Sequence, residues 1–327
     1  MTRPLRVAVV GLGWAGSVHT RVLRSLEGVT LVAVADIDPA RRAAFDGVPA
    51  VSSLEELLEL ELDYCVVATP TAEHEPMGLA LAEAGVPALI EKPLGASLPA
   101  AMRLVKAFED AGLIAAVGHT ERRNPAVREL GLRLRAGEFG AVYQVVTRRH
   151  SPFPGRVRDV GVVTDIAIHD VDLTMWLTGS QITSVAGNVR CLEGRAHEDL
   201  AIAAMRLSGG EIANLQVSRI SPYKERMVAV HTAQGWVTAD ALTRTLTHYA
   251  HGEPTVSAPG KVTSYEVPGA EPYQSQHEAF RDALLGLPND IVTLREGAAA
   301  VAATEAILSA AHTGACVTPT DHLLTRR

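Results

Sequence analysis

Aromatic residues are scarce in this chain of 327 residues, in which Phe, Trp and Tyr together make up 4%. Aliphatic side chains must therefore fill the core. Apolar residues at 47% and charged residues at 20% give the balance of an ordinary globular protein. That balance excludes an intrinsically disordered chain and a collagen-like repeat. At about 100–200 residues per domain, the length favours two domains.

Cysteine, basic charge and long apolar runs are also in short supply. Cys65, Cys191 and Cys316 are widely spaced, form no metal or redox motif and fit a reducing compartment. The formal net charge of −7 argues against a nucleic-acid partner, because a groove that follows phosphates usually carries a basic excess. No apolar stretch reaches about 18 residues, and the first apolar run is too short for a signal peptide. We therefore expect a cytoplasmic protein without a membrane partner.

The first third of the chain alternates strands with helices such as Trp14–Leu26. The predicted strands are Leu5–Val10, Val29–Ala35, Asp63–Ala68, Pro87–Ile90 and Ile114–Val117. Such alternation is typical of βαβ units, so residues 1–118 are predicted to form an α/β domain with a doubly wound parallel sheet.

After residue 118 the pattern changes to strands that follow one another from Ile182 to about Val267, including a hairpin that turns at residues 208–210. The predicted helices of this region are Pro125–Ala136, Val162–Leu177, Gln274–Leu285 and Leu294–His312. Residues 119–327 therefore predict an α+β domain with a large, mostly antiparallel, open sheet. Leu200–Met205 is apolar on both faces, whereas such sheets usually keep one polar face. We expect another subunit to cover one face in a homodimer or homotetramer; surface loops or the last helix are the alternative.

A glycine motif, Gly11-Leu12-Gly13-Trp14-Ala15-Gly16, directly follows the first strand and opens the first helix. Gly11 permits the tight turn, Gly13 lets a pyrophosphate approach the helix N-terminus, and Gly16 allows close packing. Asp36 ends the second strand, where its carboxylate would accept the ribose hydroxyls and repel a 2′-phosphate. The motif thus predicts an NAD site, with NADP less favoured, although Arg41 and Arg42 could soften that preference. The alternative is a glycine turn with an incidental acid.

Two further strand ends fall at the edge where a doubly wound sheet binds ligands. Thr69 and Pro70 follow one strand and are expected to line the nicotinamide half, unless they form a plain turn. Glu91-Lys92-Pro93 follows the next, and the Lys92 ammonium could orient a substrate hydroxyl or stabilise the oxygen of a forming ketone. The alternative for Lys92 is simple solvation. The predicted cofactor-binding residues are Gly11, Gly13, Trp14, Ala15, Gly16, Asp36, Thr69, Pro70, His74, Glu91 and Lys92.

Asp165 and His169 lie four residues apart on a predicted helix, with Asp172 near the same face. A carboxylate beside an imidazole fixes its tautomer and raises its basicity, which suits a general base. A metal site or a buried ion pair is the alternative, although no second histidine stands at ligand spacing, so no metal is predicted. Arginines are grouped around the start of the second domain and its first strand, and arginines at a cleft mouth bind carboxylate or phosphate well. The alternative for each of them is a solvated basic face. The predicted substrate-binding residues are Arg122, Asn124, Arg149, Arg158, Asp165 and His169.

With these residues assembled, the chain resembles the Gfo/Idh/MocA (glucose–fructose oxidoreductase / inositol dehydrogenase) family along nearly its whole length. The matching segments are Gly11–Gly16, Ala35-Asp36, Thr69–His74, Glu91–Leu94 and Asp165–Asp172. The resemblance implies a Rossmann domain, a second domain whose open sheet makes dimers and tetramers, and catalytic roles for Lys92, Asp165 and His169. Gly118–Val127, Arg148-Arg149 and Asp159–Asp165 are similar to the UDP-N-acetylglucosamine 3-dehydrogenase branch, which usually has Phe where Arg123 stands and Leu where Ile166 stands.

The sequence therefore predicts NAD-dependent oxidation of a secondary hydroxyl, at C3, of a sugar, amino sugar or nucleotide sugar to a ketone. An aminoglycoside or cyclitol dehydrogenase of antibiotic biosynthesis is one alternative. The other is a glycoside hydrolase of the same superfamily that recycles its NAD. A non-catalytic sensor would be expected to lack Lys92 or the Asp165–His169 pair, and both are present.

Overall fold

The computed structural model describes residues 3–153, 160–192, 195–252 and 260–319. The chain forms two compact units, Met1–Thr120 with Glu271–Ala298, and Glu121–Ala270 with Ala299–Arg327. The sequence-based division after residue 118 differs in one respect, because it assigned Glu271–Ala298 to the second domain. No helix within the described ranges is long and apolar enough to cross a membrane.

The first unit contains a six-stranded parallel sheet with the order β3-β2-β1-β4-β5-β6. Its strands are β1 (Leu5–Val10), β2 (Val29–Ala35), β3 (Ala50–Val51), β4 (Tyr64–Val67), β5 (Ala88–Ile90) and β6 (Ala115–Val117). Their aliphatic residues are almost fully buried, as expected for strands covered on both faces. The strand order reverses between β1 and β4, and a doubly wound sheet binds its ligand at that point. The predicted parallel fold is confirmed.

Helices cover this sheet and place its loops. They are α1 (Trp14–Leu23), α2 (Pro39–Ala43), α3 (Leu54–Leu58), α4 (Thr71–Glu83), α5 (Leu98–Asp110), α8 (Pro272–Leu284) and the beginning of α9 (Leu294–Thr313). Helix α1 ends at Leu23, three residues before its predicted end. Helix α8 belongs here because Phe280 is fully buried and its ring packs on that of Tyr64 in β4, with centroids 5.2 Å apart.

The second unit contains an eight-stranded sheet with the order β14-β13-β12-β11-β7-β10-β9-β8. Its strands are β7 (Val142–His150), β8 (Ile182–Arg190), β9 (Leu200–Leu207), β10 (Ile212–Ser218), β11 (Glu225–Thr232), β12 (Gly235–Asp240), β13 (Thr245–Ala250) and β14 (Val262–Glu266). Neighbours pair antiparallel except β7 with β10. The predicted mostly antiparallel sheet is therefore confirmed.

One face of this sheet carries the core and the other is open in the single chain. In β9, Ala201, Ala203 and Met205 are buried, whereas Ile202 between them is 54% exposed. Helices α6 (Pro125–Arg135) and α7 (Ile168–Thr178) and the remainder of α9 belong to this unit. Of the two apolar faces that the sequence of β9 shows, the structure buries only one.

Candidate functional site

The glycine turn between β1 and α1 leaves room for a ligand only where the motif predicts it. Gly11 has φ +94°, and a Cβ there would lie 2.5 Å from the carbonyl oxygen of Ala68. A Cβ on Gly16 would overlap the Gly11 carbonyl oxygen, whereas a Cβ on Gly13 would meet nothing within 4 Å. Open space at the N-terminus of a ten-residue helix, where the first backbone N–H groups have no acceptor within the helix, suits a pyrophosphate. The turn therefore fits a dinucleotide.

Asp36 is held rigidly at the end of β2. The backbone N–H of Leu12 donates to its Oδ2 at 2.7 Å, and that of Asp38 donates to its Oδ1 at 2.8 Å. Burial raises the pKa of this carboxyl, but these two hydrogen bonds and Arg41 outweigh burial and lower the pKa overall. An ionised carboxylate oxygen that accepts one bond can still accept a second, as from a ribose hydroxyl.

Two neighbours of Asp36 matter for the cofactor. Arg42 donates to the carbonyl oxygens of Asp36 and Ile37 and so braces the loop. Arg41 is half exposed and reaches Asp36 Oδ2 at 3.3 Å. The side chain of Ile37 is 87% exposed.

His74, which was predicted to bind cofactor, is fully buried and joins two loops. Its Nδ1 lies 2.7 Å from the carbonyl oxygen of Pro93, and its Nε2 lies 3.0 Å from that of Thr69. Burial lowers the pKa of its imidazole. Both ring nitrogens therefore face backbone carbonyls after β4 and β5, and the neutral imidazole donates its single N–H to one of them. Thr69 is half-buried and Pro70 is exposed.

Glu91 and Lys92 follow β5 and differ in their surroundings. Glu91 is buried, with Oε1 3.0 Å from His19 Nε2, and its Oε2 accepts the backbone N–H of Lys92 at 3.1 Å. Burial raises the pKa of Glu91, but His19, Lys92 and His74 outweigh it and lower the pKa overall. Lys92 is half-buried. The Glu91 carboxylate is thus engaged in hydrogen bonds within the first unit, whereas the half-buried Lys92 side chain keeps access to solvent.

In the second unit, Asp165 and His169 lie on a helix that begins irregularly. Val163–Ala167 forms a π turn, in which the N–H of Ile168 donates to the carbonyl of Val163, and α7 follows directly. The sequence predicted one regular helix over this region. Asp165 and His169 are both half-buried and accessible. Single π turns inside helices are frequent at functional sites.

Glu198, which the sequence did not single out, caps this helix from a distant part of the chain. Its carbonyl oxygen accepts the N–H of Val162 at 2.9 Å, and its Oε1 accepts the N–H of Val163 at 3.0 Å. These bonds satisfy N–H groups that a helix start leaves without an internal acceptor. A Cβ on Gly161 would overlap the Glu198 carboxylate. Glycine at 161 therefore makes room for the cap.

Asp170 and Asp172, which follow His169 in α7, form ion pairs with arginines. Arg149 in β7 contacts Asp170 at 3.1 Å and Glu121 at 3.1 Å, with all three side chains largely buried. Arg122 makes two hydrogen bonds to Asp172, at 2.8 and 2.6 Å. Burial raises the pKa of Asp170 despite Arg149. These buried ion pairs fix α7 to the unit.

The remaining substrate-binding predictions meet other outcomes. Arg122 and Arg149 are engaged in the buried ion pairs just described. Asn124 caps α6 by accepting the N–H of Ala126 at 3.2 Å, and its Nδ2 donates to the carbonyl of Ala241 at 2.9 Å. Arg158 lies outside the described residues. No cluster of three or more metal-ligating side chains occurs in the ranges that the structure covers.

Comparisons with known proteins match both parts of the chain. The model of the oxidoreductase family with an NAD-binding Rossmann fold, GFO_IDH_MocA, matches residues 5–119, and that of the GFO/IDH/MocA C-terminal domain matches residues 127–238. UDP-N-acetylglucosamine 3-dehydrogenase of Acidithiobacillus ferrooxidans is 32% identical over 254 residues, which cover 77% of this chain and 79% of that protein. A solved structure of that enzyme aligns with a TM-score of 0.85 and 27% identity over 96% of this chain and 99% of its own.

Two further relatives have other substrates in their names. The scyllo-inositol 2-dehydrogenase (NAD+) of Bacillus subtilis is 32% identical over 238 residues, covering 68% of this chain and 70% of that protein. GenD2 from gentamicin A biosynthesis, solved in complex with NAD, aligns with a TM-score of 0.84 and 28% identity over 97% of each chain. With both domains matched and the glycine turn in place, the chain belongs to the Gfo/Idh/MocA family of oxidoreductases, the sugar and cyclitol dehydrogenases with an NAD-binding Rossmann fold.

Proposed function

We propose that this protein oxidises a secondary hydroxyl, at C3, of an amino sugar or nucleotide sugar to a ketone with NAD. The observation that carries the proposal is that Lys92 and the Asp165–His169 pair are present together and accessible, each on a braced element. The relatives that act on UDP-N-acetylglucosamine and within gentamicin biosynthesis support the substrate class. A cyclitol is the second candidate, favoured by the inositol dehydrogenase relative.

Each residue has a chemical task in this proposal. The Lys92 ammonium donates to the substrate oxygen and stabilises the negative charge that develops on it. His169 accepts the hydroxyl proton, and Asp165 sets the tautomer that leaves an imidazole nitrogen free to do so. When bound, the nicotinamide supplies the acceptor for the hydride. Arg122 and Arg149 hold α7 through its acids, so we propose them as supports of His169 instead of ligands of the substrate.

Activity measurements test the proposal directly. Purified protein with NAD is expected to form NADH and a keto sugar on addition of UDP-N-acetylglucosamine or an aminoglycoside. NADH formation with the inositols alone would select the cyclitol alternative. Cleavage of a glycoside without net NADH would show the NAD-recycling hydrolase, and no turnover with any of them would contradict the dehydrogenase proposal.

We also propose that the cofactor is NAD and that the Asp36 carboxylate determines the preference for NAD over NADP. Asp36→Ser is expected to lower the ratio of kcat/KM for NAD over NADP by about 10²-fold, since the like-charge repulsion of a 2′-phosphate, typically several kcal/mol, is removed. Arg41 then gains a free guanidinium beside the ribose position. The double variant Asp36→Ser/Arg41→Ala is the matched control and should lose the gain with NADP. An unchanged ratio in Asp36→Ser would contradict the assignment.

A homo-oligomer formed through the open face of the second unit's sheet is proposed as the assembled state. Ile202, Ile212 and Val262 on this face are about half exposed. Beside them lies a depression of 430 Å³ lined by Val146, Arg148, Met227, Trp236, Thr238 and Tyr249. Apolar patches of this kind mark contact surfaces. Sedimentation equilibrium should find a dimer or tetramer that Ile202→Asp weakens; a monomer at every concentration would refute it.

A further inference from the structure

Three buried side chains form a hydrogen-bonded chain within the first unit that no motif in the sequence indicated. Glu91 Oε1 lies 3.0 Å from His19 Nε2, and His19 Nδ1 lies 2.8 Å from His277 Nε2. Both histidines have no exposed surface. Glu91 follows β5, His19 lies on α1 and His277 on α8. This hydrogen-bond chain therefore joins β5, α1 and α8 at the end of the strand that Lys92 follows.

The protons on this chain can be placed from its geometry. Glu91 is ionised and can only accept, so His19 Nε2 carries the proton that it donates. Burial lowers the pKa of His277 well below its ordinary value, so His277 is neutral. If His19 is neutral as well, its Nδ1 accepts from His277 Nε2–H, and every contact has one donor and one acceptor.

The far end of the hydrogen-bond chain, at His277, supports this direction of donation. His277 Nδ1 is buried without a hydrogen-bond partner among the described residues. In the order just given, His277 Nδ1 has no proton and carries a lone pair. If His19 were an imidazolium, the same atom would be an N–H without an acceptor, which is the rarer and costlier case for a buried group. The donors therefore run from His277 to His19 to Glu91.

Other groups around Glu91 complete the arrangement. His74 on α4 and Lys92 on the same strand end both lower the pKa of Glu91. The ring of Tyr273 packs edge-on against His19 at 4.9 Å between centroids. A Cβ on Gly118 would lie 2.9 Å from the Glu91 carboxyl, so glycine there gives the carboxylate its room. The carboxylate is thereby fixed in one orientation.

We propose that His277 and His19 are positioning residues for Lys92, acting by fixing the Glu91 carboxylate that accepts the Lys92 backbone N–H and places a negative charge beside the lysine. This inference rests on the proposed role of Lys92. It gives α8 a part in the chemistry, although none of its residues is in a family motif.

The hydrogen-bond chain is tested without cofactor or substrate. In ¹⁵N-histidine-labelled protein, NMR should show imidazole N–H protons protected from exchange on both His19 and His277, besides a signal from the buried His74. His277→Phe keeps the ring shape but should remove one signal, and His277→Gln should keep the His19 signal because its amide can still donate. Absence of protected imidazole N–H signals assigned to His19 and His277 would overturn the proposed hydrogen-bond chain whatever the activity of the enzyme.

Kinetics then separate positioning from simple packing. His277→Phe is expected to lower kcat at least about tenfold, as small misplacements of a catalytic group do, with little change in KM for NAD. His277→Gln should restore kcat to within about twofold. In His19→Phe, Glu91 loses its donor, its pKa rises, and the acid limb of kcat/KM should move to higher pH. A lower melting temperature of His277→Phe with unchanged kcat and pH profile would show that His277 has a purely structural role.

The outcome for Lys92 is independent of these results. A Lys92→Met variant with full activity would refute the proposed function, whatever the His277 variants show. If Lys92→Met is inactive and His277→Phe is as active as the parent, the positioning proposal alone fails.

Discussion

Lys92→Met is expected to lower kcat/KM by about 10²–10³-fold, the usual loss on removing one group that stabilises charge in a transition state. Methionine keeps the length and much of the packing of the side chain but cannot donate a proton or carry charge. The Glu91 carboxylate would keep its bonds to His19 and to the backbone N–H of residue 92. The loop should therefore remain in place, and the loss should be chemical.

Binding measurements separate that loss from damage to the cofactor site. The Kd of NAD, measured by calorimetry, should change less than about threefold in Lys92→Met, well under the 1.4 kcal/mol that a tenfold change represents. Lys106→Met is the control, since Lys106 is an exposed lysine of α5 paired with Asp110 in the same unit. It should behave like the parent protein. Equal activity of the two variants would remove Lys92 from the mechanism.

His169→Gln is expected to lower kcat by about 10²–10⁴-fold, the usual contribution of a general base. Glutamine preserves a polar side chain of similar size but does not accept a proton at neutral pH. Asp165→Asn should cost less, because the imidazole remains and loses only the carboxylate that orients it. The measurement is kcat at saturating NAD and sugar across a pH series.

A double-variant comparison tests whether these two residues act as a unit. If they do, His169→Gln/Asp165→Asn should be no slower than His169→Gln alone, since groups that act together are not additive. Additive losses would show that Asp165 has a separate task. His312→Gln, at an exposed histidine near the end of α9, is the control and should retain full activity.

The sequence predicted what depends on neighbours along the chain. The glycine turn and Asp36 could be assigned because strand, turn and helix follow one another within about 30 residues, the span of one βαβ unit. Lys92 and the Asp165–His169 pair were predicted in the same way, from a strand end and from helical spacing. The strand β3 was missed because two residues are too short for any periodicity.

What the sequence could not give are contacts between distant segments. Arg149 and Arg122 were predicted to bind substrate as members of a group of arginines. Nothing along the chain shows that they contact Asp170 and Asp172. His19 and His277 are separated by 258 positions. The π turn was also hidden, since one apolar pattern suits it and a regular helix alike. Each of these features is decided by packing.

Glu271–Ala298 belongs to the first unit although it follows the second sheet in the sequence. This order affects folding during synthesis on the ribosome. Residues 1–120 emerge first and contain all six strands of the parallel sheet, but Tyr64 then lacks Phe280, and His19 lacks His277. Domains generally fold as they leave the ribosome, at about 5–20 residues per second. Here roughly 150 further residues must be synthesised before Glu271–Ala298 can complete the packing of this sheet. The first unit is therefore completed only after all strands of the second sheet have been made.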